Sequence, residues 1–377
     1  MSETKPLYLY DRSRVVQDWK CPRSRFWNYE FEGRGVVPNS TSIELHMGII
    51  VHDALCAIAT FTKQEKEVDI DTIATLANKQ MYDALYVPEL PAEARDFATE
   101  QGCLVEGMIR GFFKLRWPQL LDQYPKILFI EGEMTLEHDG LSFMSKPDIV
   151  MGNDFETVYV EYKTTSTKKD TWINSWATAV QLHSTVRAVE KTHGITIDAV
   201  IIQGLYKGYE SYGKQSSPFC YCYKRNGHPP FTQDEYVYEY KAGLKRFPIW
   251  EIEGGIKKWI DEMPEVILAD QFPQTAPIFI KDYLVDAFFR QRADREHEIK
   301  SAMQILKTAE QLGDMEHSTK ILDSAFPQRF DQCTPSFGRP CPYVRLCHGP
   351  IIHPLDAGFT YRQPHHEAEE KQIGVEE

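Results

Sequence analysis

The 377-residue sequence contains no run of about 18 apolar residues, the length that a membrane-spanning helix requires. Its first residues, MSETKPLYLYDRSR, lack the apolar stretch that follows the charges of a signal peptide. Internal repeats and a phosphate-binding P-loop are also absent, which excludes a repeat array and a built-in ATPase motor. We therefore expect a cytoplasmic protein without membrane attachment, or a protein of the host cytoplasm if a phage encodes it.

Positive charge is also scarce, because 42 Lys and Arg residues stand against 55 Asp and Glu residues and give a formal net charge of −13. Proteins that bind nucleic acid without sequence preference usually have a basic surface. Bases nevertheless outnumber acids by seven to five in residues 1–36, and by the same margin in 161–215. A local positive groove is compatible with this distribution, so the acidity does not exclude DNA binding.

Hydrophobic residues make up 42% of the chain and charged residues 26%, which is typical of a globular protein with a sizeable core. The apolar positions follow a helical period at first and then alternate as in strands. We expect an α/β fold in which helices flank a mixed central sheet. The predicted elements are helices at 40–62 (capped by Ser40 or Thr41), 69–86, 91–116, 171–193 and 283–312, a three-stranded meander at 127–165, a central strand at 198–208, and an antiparallel pair at 219–225 and 235–242.

The sequence shows no clear boundary between domains. We assign residues 1–360 to one domain and residues 361–377 to a disordered acidic tail. Within the domain we distinguish a helical subregion at 40–116, a core at 125–245, and a helical, cysteine-rich part at 246–350.

Three acidic residues and one lysine are predicted to meet on the meander. Alternation along the third strand places Glu161 and Lys163 on one face. Two-residue turns between the strands would set Glu131 opposite Asp148 and make Glu161 a diagonal neighbour of Asp148. Carboxylates so close together repel one another unless a cation neutralises them. A solvent-facing strand would show the same short pattern.

Mg²⁺ or Mn²⁺ is the cation that such oxygen ligands favour, and either one makes water a stronger nucleophile near neutral pH. Lys163 is suited to stabilise the negative charge of a reacting phosphate. Together these groups, with Glu131 among the metal ligands, predict a metal-dependent hydrolytic site.

The segments KPDIV and EYKTT resemble motifs II and III of the PD-(D/E)XK nuclease superfamily. Its RecB-like branch has Gly-x-x-x-His on an upstream helix, similar to GIIVH here, and Gln-x-x-x-Tyr on a downstream helix, where QLHST lacks the tyrosine. The resemblance implies a restriction-endonuclease-like core in which Asp148, Glu161, Lys163 and Gln181 are catalytic and Gln181 contacts the nucleotide. It also implies that the metal ligands are His52, Asp148, Glu161 and the backbone carbonyl of Tyr162.

The eight cysteines fall into two groups. Buried small hydrophobes are the interpretation for four that lie in apolar helical or strand-like patterns, namely Cys56, Cys103, Cys220 and Cys222. The other four lie in polar, proline-marked segments, namely Cys21, Cys333, Cys341 and Cys347. Four thiolates suit zinc or an iron–sulfur cluster, and their spacing alone leaves both possibilities open, as well as the absence of a metal.

AddB-type helicase-nucleases and CRISPR-adaptation nucleases, which belong to the same branch, have one cysteine before the nuclease core and three after it. This chain is similar, with Cys21 far upstream and a terminal Cys-Pro-x4-Cys from Cys341 to Cys347. The seven residues between Cys333 and Cys341 exceed the usual two. The resemblance implies a 4Fe-4S cluster that staples the N- and C-terminal segments together.

The segment CPRSRFWNYEF combines cations with aromatic rings next to Cys21. Arg23, Arg25 and Trp27 could hold phosphates and stack bases of single-stranded DNA, or they could form the packing around the cluster.

We therefore expect a Mg²⁺- or Mn²⁺-dependent deoxyribonuclease, an exonuclease acting on DNA ends or single strands in repair, recombination or phage DNA metabolism. A helicase or recombination protein is its possible partner. A non-catalytic DNA-binding or scaffold subunit with the same fold is one alternative. A sequence-specific endonuclease of the superfamily is another.

Overall fold

The computed structural model describes residues 8–39, 42–86, 92–166, 169–176, 181–207, 218–223, 246–334, 340–349, 353–364, 366 and 369–370. The first half of the chain contains two short N-terminal strands, three long helices and then a run of strands. These elements are β1 (Tyr8–Asp11), α1 (Arg12–Lys20), α2 (Pro22–Arg25), β2 (Val36–Pro38), α3 (Ile43–Lys63), α4 (Ile70–Leu85), α5 (Ala92–Gln123), β3 (Lys126–Ile130), β4 (Met134–His138), β5 (Leu141–Ser145), β6 (Ile149–Gly152) and β7 (Thr157–Thr165).

The second half returns to helices around one long central strand. Its elements are α6 (Lys169–Trp176), α7 (Gln181–His193), β8 (Ala199–Tyr206), β9 (Tyr221–Tyr223), β10 (Arg246–Pro248), α8 (Gly255–Glu262), α9 (Glu265–Gln271), β11 (Ile278–Phe279), α10 (Asp282–Gln311), α11 (Met315–Ala325), α12 (Val344–His348) and β12 (Phe359–Tyr361). The protein is therefore a mixed α/β protein, as the sequence predicted.

A five-stranded mixed sheet lies at the centre, in the order β11-β8-β7-β6-β3. Strands β7 and β8 are parallel and are joined by the crossover that contains α6 and α7, because parallel neighbours cannot be joined by a tight turn. The continuous apolar run of β8 is buried along its whole length. This confirms the prediction of a central strand at 198–208.

The predicted three-stranded meander is wrong, because its first two strands each break in the middle. Strands β3 and β6 pair within the central sheet, whereas β4 and β5 pair in a separate three-stranded sheet that is completed by β1. Pro147 lies at the break and has no backbone N–H to contribute to a ladder. The long hairpin therefore bends from one sheet into the other at residues 131–133 and 146–148.

The two faces of the central sheet have separate hydrophobic cores. Val158 and Val160 of β7 pack with α3, α5 and α9, while Tyr159 packs with α6 and α7 on the opposite face. Strand alternation explains this division. It also places Glu161 and Lys163 on the same side as Tyr159.

Helix α3 is long and apolar enough to cross a membrane by length and composition, although 39% of its most apolar window is buried within the protein. Its N-cap is Ser42, whose hydroxyl accepts from the Leu45 N–H, and not the predicted Ser40 or Thr41. Spacings of three and four in the sequence predict a core-facing stripe through Leu45, Ile49, His52, Leu55 and Ile58. The stripe is wrong at its start, since Leu45 and Ile49 are exposed. Met47, Ile50 and Val51 are buried instead, and these three side chains pack α3 against the core.

The predicted disordered tail at 361–377 is wrong for several of its residues. Tyr361 ends β12, which pairs with β2, and Arg362, His366 and Glu369 are buried. Arg362 and Arg14 both donate to the Glu369 carboxylate, at 2.9 and 2.5 Å. The assignment of residues 1–360 to a single domain stays a prediction, and the predicted strand at 235–242 lies outside the described residues.

Candidate active site

The bend of the hairpin collects charged side chains at one place. Glu131 lies just after β3 and Asp148 just before β6, and the Glu131 N–H donates to the Asp148 carbonyl at 2.9 Å. The predicted opposition of Glu131 and Asp148 is thus confirmed. Glu131 has a positive φ of 27°, a strained conformation for a residue with a side chain.

Asp148 also caps the half of β7 that has no hydrogen-bonded partner in β6. Strand β7 has nine residues and β6 has four, so β7 extends beyond its neighbour. Asp148 Oδ2 accepts from the Tyr162 N–H at 2.6 Å, in a region that β6 does not reach. The carboxylate therefore replaces a ladder hydrogen bond, and this fixes its orientation.

The register between β6 and β7 differs from the prediction. Ile149 pairs with Val160, which sets Asp148 directly opposite Glu161 and not diagonal to it. The turn contains four residues, 153–156, because Asn153 Oδ1 accepts from the N–H groups of Phe155 and Glu156. The longer turn shifts the pairing and brings the two carboxylates closer together.

His52 on α3 meets Asp148 from the other side of the sheet. His52 Nε2 lies 2.6 Å from Asp148 Oδ1. Burial opposes the charge on His52, but hydrogen bonds with Asp148, Asp53 and Cys56 outweigh it and raise its pKa to about 12. Burial likewise opposes ionisation of Asp148, but His52 and Lys163 hold the pKa of Asp148 below its ordinary value. Without a metal, the two residues form an ion pair.

Glu161 lies between two cations. Lys163 forms a short ion pair with it, as the shared strand face predicted, and Arg12 donates to it at 3.1 Å. Arg12 follows directly after β1, which lies parallel to β5, and its guanidinium lies 5.9 Å from the ring centre of Trp176. The Glu161 side chain is buried, whereas those of Lys163 and Arg12 remain about one third exposed.

Glu131 lies beside Nδ1 of the His52 ring, whereas the Cys56 sulfur is almost equidistant from the two ring nitrogens and lies 4.0 Å from Nε2. His52 Nδ1 is 3.9 Å from Glu131 Oε1 and 3.8 Å from Cys56 Sγ. Glu131 also forms a short ion pair with Lys146. These three donor atoms all lie within 4.8 Å of one another, a grouping that could hold a metal ion.

The cations that neutralise the carboxylates in this structure are supplied by the protein itself. Each carboxylate has a cationic partner: His52 for Asp148, Lys163 and Arg12 for Glu161, and Lys146 for Glu131. Asp148, Glu161 and the Tyr162 carbonyl offer neighbouring hard oxygen ligands of the kind that Mg²⁺ or Mn²⁺ prefers, although among the described residues His52, Asp148 and Glu161 do not form a group within 4.8 Å of one another. An incoming cation would replace charge that the protein now supplies itself.

The downstream glutamine helix begins at Gln181, whose side chain lies outside the described part of the structure. Thr185 occupies the position where the RecB-like pattern has tyrosine. The Ser145 hydroxyl donates to Thr185 Oγ1 at 3.0 Å, and both residues are buried. Thr185 therefore ties α7 to β5.

The thiols of the four cysteines set apart by the sequence analysis interact electrostatically. Burial and the charges of Cys21 and Cys333 raise the pKa of the Cys341 thiol, and burial raises that of Cys347 to about 11. The Cys341 N–H donates to the Cys333 carbonyl at 2.9 Å. Among the described residues, these thiols do not form a group of three within 4.8 Å of one another.

Cys21 is buried, although the sequence analysis did not place it among the core thiols. Cys56, Cys103 and Cys220 are buried, as predicted, and the Cys222 side chain lies outside the described residues.

The prediction that Arg23 and Arg25 bind DNA is wrong, because both side chains are buried in internal contacts. Arg23 donates to the Phe326 carbonyl at 2.8 Å and to Asp323 at 2.5 Å. Arg25 has no exposed surface and pairs with Glu296 at 2.6 Å. Trp27 packs near Cys341 and Cys347, as the alternative packing interpretation proposed.

Arg12 and Lys146 are the site residues that the sequence analysis missed. Arg12 lies more than a hundred residues from Glu161, so no local pattern joins them. Lys146 begins the KPDIV segment, and its position beside Pro147 at a strand break was a signal that could have been used.

Fold and site together define an α/β protein with a histidine–carboxylate–lysine site at the end of a central strand. No family model matches the chain, and no curated protein matches it. Among solved structures, the chain is similar to protein VC1899 from Vibrio cholerae, with 13% identity over 59% of this chain and a TM-score of 0.18. The chain spans 56% of that protein, and so weak a likeness carries no argument.

The His52–Asp148 ion pair predicts how the metal-free protein responds to Asp148→Asn. Asparagine has one acceptor oxygen, so either the half-buried His52 ring or the Tyr162 N–H then meets an NH2 group, and the charge that pairs with His52 is lost. The free energy of unfolding should therefore fall by about 1–3 kcal/mol. We would measure denaturant unfolding in EDTA at about pH 6, where both groups are charged. Asp122→Asn, at an exposed residue near the end of α5, should change it by less than about 0.5 kcal/mol. A more stable Asp148→Asn protein would support carboxylate repulsion instead.

Proposed function

We propose that this chain is a metal-dependent deoxyribonuclease with a PD-(D/E)XK core, an exonuclease of the RecB-like kind that acts on DNA ends or single strands. The observation that carries the proposal is the arrangement of Asp148, Glu161 and Lys163. Asp148 adjoins the last β6–β7 pair and accepts from the Tyr162 N–H, next to Glu161, and Lys163 pairs with Glu161 on the same strand face. His52 joins them from α3, the helix that carries the Gly-x-x-x-His pattern.

Asp148, Glu161, the Tyr162 carbonyl and His52 would hold Mg²⁺ or Mn²⁺. When bound, the cation would polarise the phosphate and lower the pKa of the attacking water. Lys163, released from Glu161, would place its charge where negative charge develops on the phosphate. Glu161 and Asp148 are nearly buried, so their orientations are fixed by packing before substrate arrives.

Because the whole protein is acidic, DNA binding requires a local positively charged surface, and the cations around the site provide one. Arg12, Lys146 and Lys163 retain exposed surface next to the carboxylates. Lys207 lies on the same side as the start of α3, where its ammonium is 3.4 Å from the Glu44 carbonyl. Such a cluster attracts phosphates locally although the whole chain is negative.

We also propose that Cys21, Cys333, Cys341 and Cys347 hold a 4Fe-4S cluster. The support is that thiols from opposite ends of the chain influence one another's pKa. A zinc tetrahedron with Zn–S bonds of about 2.3 Å would hold sulfur atoms about 3.8 Å apart. Among the described residues no three of these thiols lie within 4.8 Å of one another, which favours an inorganic centre larger than one zinc ion. The cluster would fasten the segment after α1 to the segment before α12.

The sequence contains no P-loop pattern for ATP binding. We propose that a separate helicase or recombination protein prepares the DNA ends.

Lys163→Ala tests the chemistry of the site. The ammonium stabilises charge mainly in the transition state, so cleavage of labelled DNA with Mn²⁺ should fall by about 10²–10³-fold. DNA affinity in Ca²⁺ should change far less. Lys191→Ala removes an exposed lysine from α7 and should retain full activity. Full activity of Lys163→Ala would overturn the assignment, and a wild-type protein that binds DNA without cleaving it would indicate a non-catalytic subunit.

The cysteine proposal predicts a coloured protein. After anaerobic purification, Cys341→Ala should lose visible absorbance and iron, because thiolate ligation contributes directly to folding in structural metal sites. Both termini should also become more sensitive to protease. The control is Cys103→Ala, at a buried thiol in α5, which should keep colour and iron. A colourless wild-type protein with stoichiometric zinc would contradict the cluster but leave the nuclease proposal intact.

A further inference from the structure

We propose that His52, Cys56 and Glu131 form a second metal site, which takes Zn²⁺ or another thiophilic divalent cation and switches the nuclease site off. The inhibitory role rests on the proposed nuclease function, whereas the metal site itself does not. The three residues contribute one nitrogen, one sulfur and one oxygen, all within 4.8 Å of one another. The nuclease reaction as proposed above makes no use of the Cys56 thiol.

The local geometry brings these donors together without rearrangement of the backbone. His52 and Cys56 are one turn apart on α3, so they project from the same face of the helix. Glu131 is held opposite them by the bend after β3. Cys56 is buried, while the His52 and Glu131 side chains keep 24% and 22% of their surface exposed. A cation can therefore reach the thiol from solvent through the other two ligands.

The distances suit a tetrahedral cation. Zinc bonds of about 2.3 Å to sulfur and about 2.0 Å to nitrogen imply a separation of about 3.5 Å between the two donors. His52 Nδ1 and Cys56 Sγ are 3.8 Å apart. A thiolate and an imidazole strongly favour Zn²⁺ over Mg²⁺, which prefers oxygen ligands. The site therefore discriminates against the cation that the nuclease uses, and on binding both the Cys56 thiol and the charged His52 ring, at Nδ1, release a proton to solvent.

The two nitrogens of His52 explain why such a cation would inhibit. Nε2 faces Asp148 at 2.6 Å, so Nδ1, which lies 3.9 Å from Glu131 Oε1, is the nitrogen left for a second cation. Cys56 Sγ is 3.8 Å from Nδ1 and 4.0 Å from Nε2, within reach of a cation bound at Nδ1. When Nδ1 binds a metal, the neutral ring keeps its proton on Nε2 and donates it to the carboxylate. Nε2 then has no lone pair for the catalytic cation, and Asp148 Oδ1 stays engaged. The two cations therefore exclude each other at one imidazole.

Lys146 competes with the thiophilic cation. Its ammonium pairs with Glu131, and its side chain is about half exposed, so it can move into solvent when a cation arrives. Removing this competing charge should tighten binding. Lys146→Ala is therefore expected to raise the affinity for the thiophilic cation, whereas loss of a ligand lowers it.

The test uses Co²⁺ as a spectroscopic probe, because a cobalt–thiolate bond gives an ultraviolet charge-transfer band. The wild-type protein, with its four-cysteine centre filled, should show this band on titration. Cys56→Ser should lose the band and bind Co²⁺ at least about tenfold more weakly, since even outer-shell changes at metal sites have effects of that size. Cys103→Ser has the same number of remaining thiols and should keep the band. Glu131→Gln should keep the band but bind more weakly.

Zinc inhibition is the second readout. Micromolar Zn²⁺ should suppress Mn²⁺-dependent cleavage by the wild-type protein and by Cys103→Ser, each relative to its own zinc-free rate. Cys56→Ser should require at least about tenfold more Zn²⁺. Identical Co²⁺ spectra and affinities for the wild type and Cys56→Ser would overturn the proposal. A thiolate band that depends on Cys56, in a protein that never cleaves DNA, would support the metal site and reject the nuclease function.

Discussion

One hairpin, residues 126–152, belongs to two sheets, and the bend between them determines where the charged side chains lie. Ile130 pairs with Ile149 in the central sheet and Met134 pairs with Ser145 in the other, so the register continues across the bend. The ladder is interrupted where Pro147 offers no donor and Glu131 takes a positive φ. Three residues leave the ladder on each side, and among them are Glu131, Lys146 and Asp148.

The rest of the site follows from this bend. Because β6 starts only after Asp148, the second half of β7 lacks a strand on that side, and the Asp148 carboxylate binds the free Tyr162 N–H. Because β5 continues into the second sheet, β1 can pair with it and deliver Arg12 to Glu161. Helix α3 brings His52 against the same carboxylate from the opposite face. Without the bend, the backbone groups of residues 131–133 and 146–148 would pair in a ladder, and the Asp148 side chain would not be needed as the acceptor for the Tyr162 N–H.

The two ends of the chain are fastened together near the same sheet. Buried ion pairs join the N-terminal helices to α10, with Arg25 bound to Glu296 and Arg292 bound to Asp18. Loss of one partner of a buried pair usually costs about 3–5 kcal/mol, so these contacts constrain the fold strongly. The segment after β12 adds Glu369, which binds Arg14. The proposed cysteine cluster would act alongside these contacts.

Long periodic elements were predictable from the sequence and long-range polar contacts were not. Helix α10 was expected at 283–312 and spans Asp282–Gln311. It was predictable because a helical period sustained over thirty residues is compatible only with a helix. The start of α3 was assigned the wrong face, since LHMGIIV is apolar on several faces at once and packing decides among them. Arg25 was read as a DNA ligand because its partner, Glu296, is 271 residues away. The site residues on β7 were predictable because alternation is local.

The account depends on a divalent cation between Asp148 and Glu161, and the position of bound Mn²⁺ tests it most directly. Crystals grown with Mn²⁺ should give an anomalous scattering peak in contact with both carboxylates and the Tyr162 carbonyl, with Lys163 no longer paired to Glu161. The account is contradicted if saturating Mn²⁺ gives no peak there and Glu161 keeps both Lys163 and Arg12 as partners.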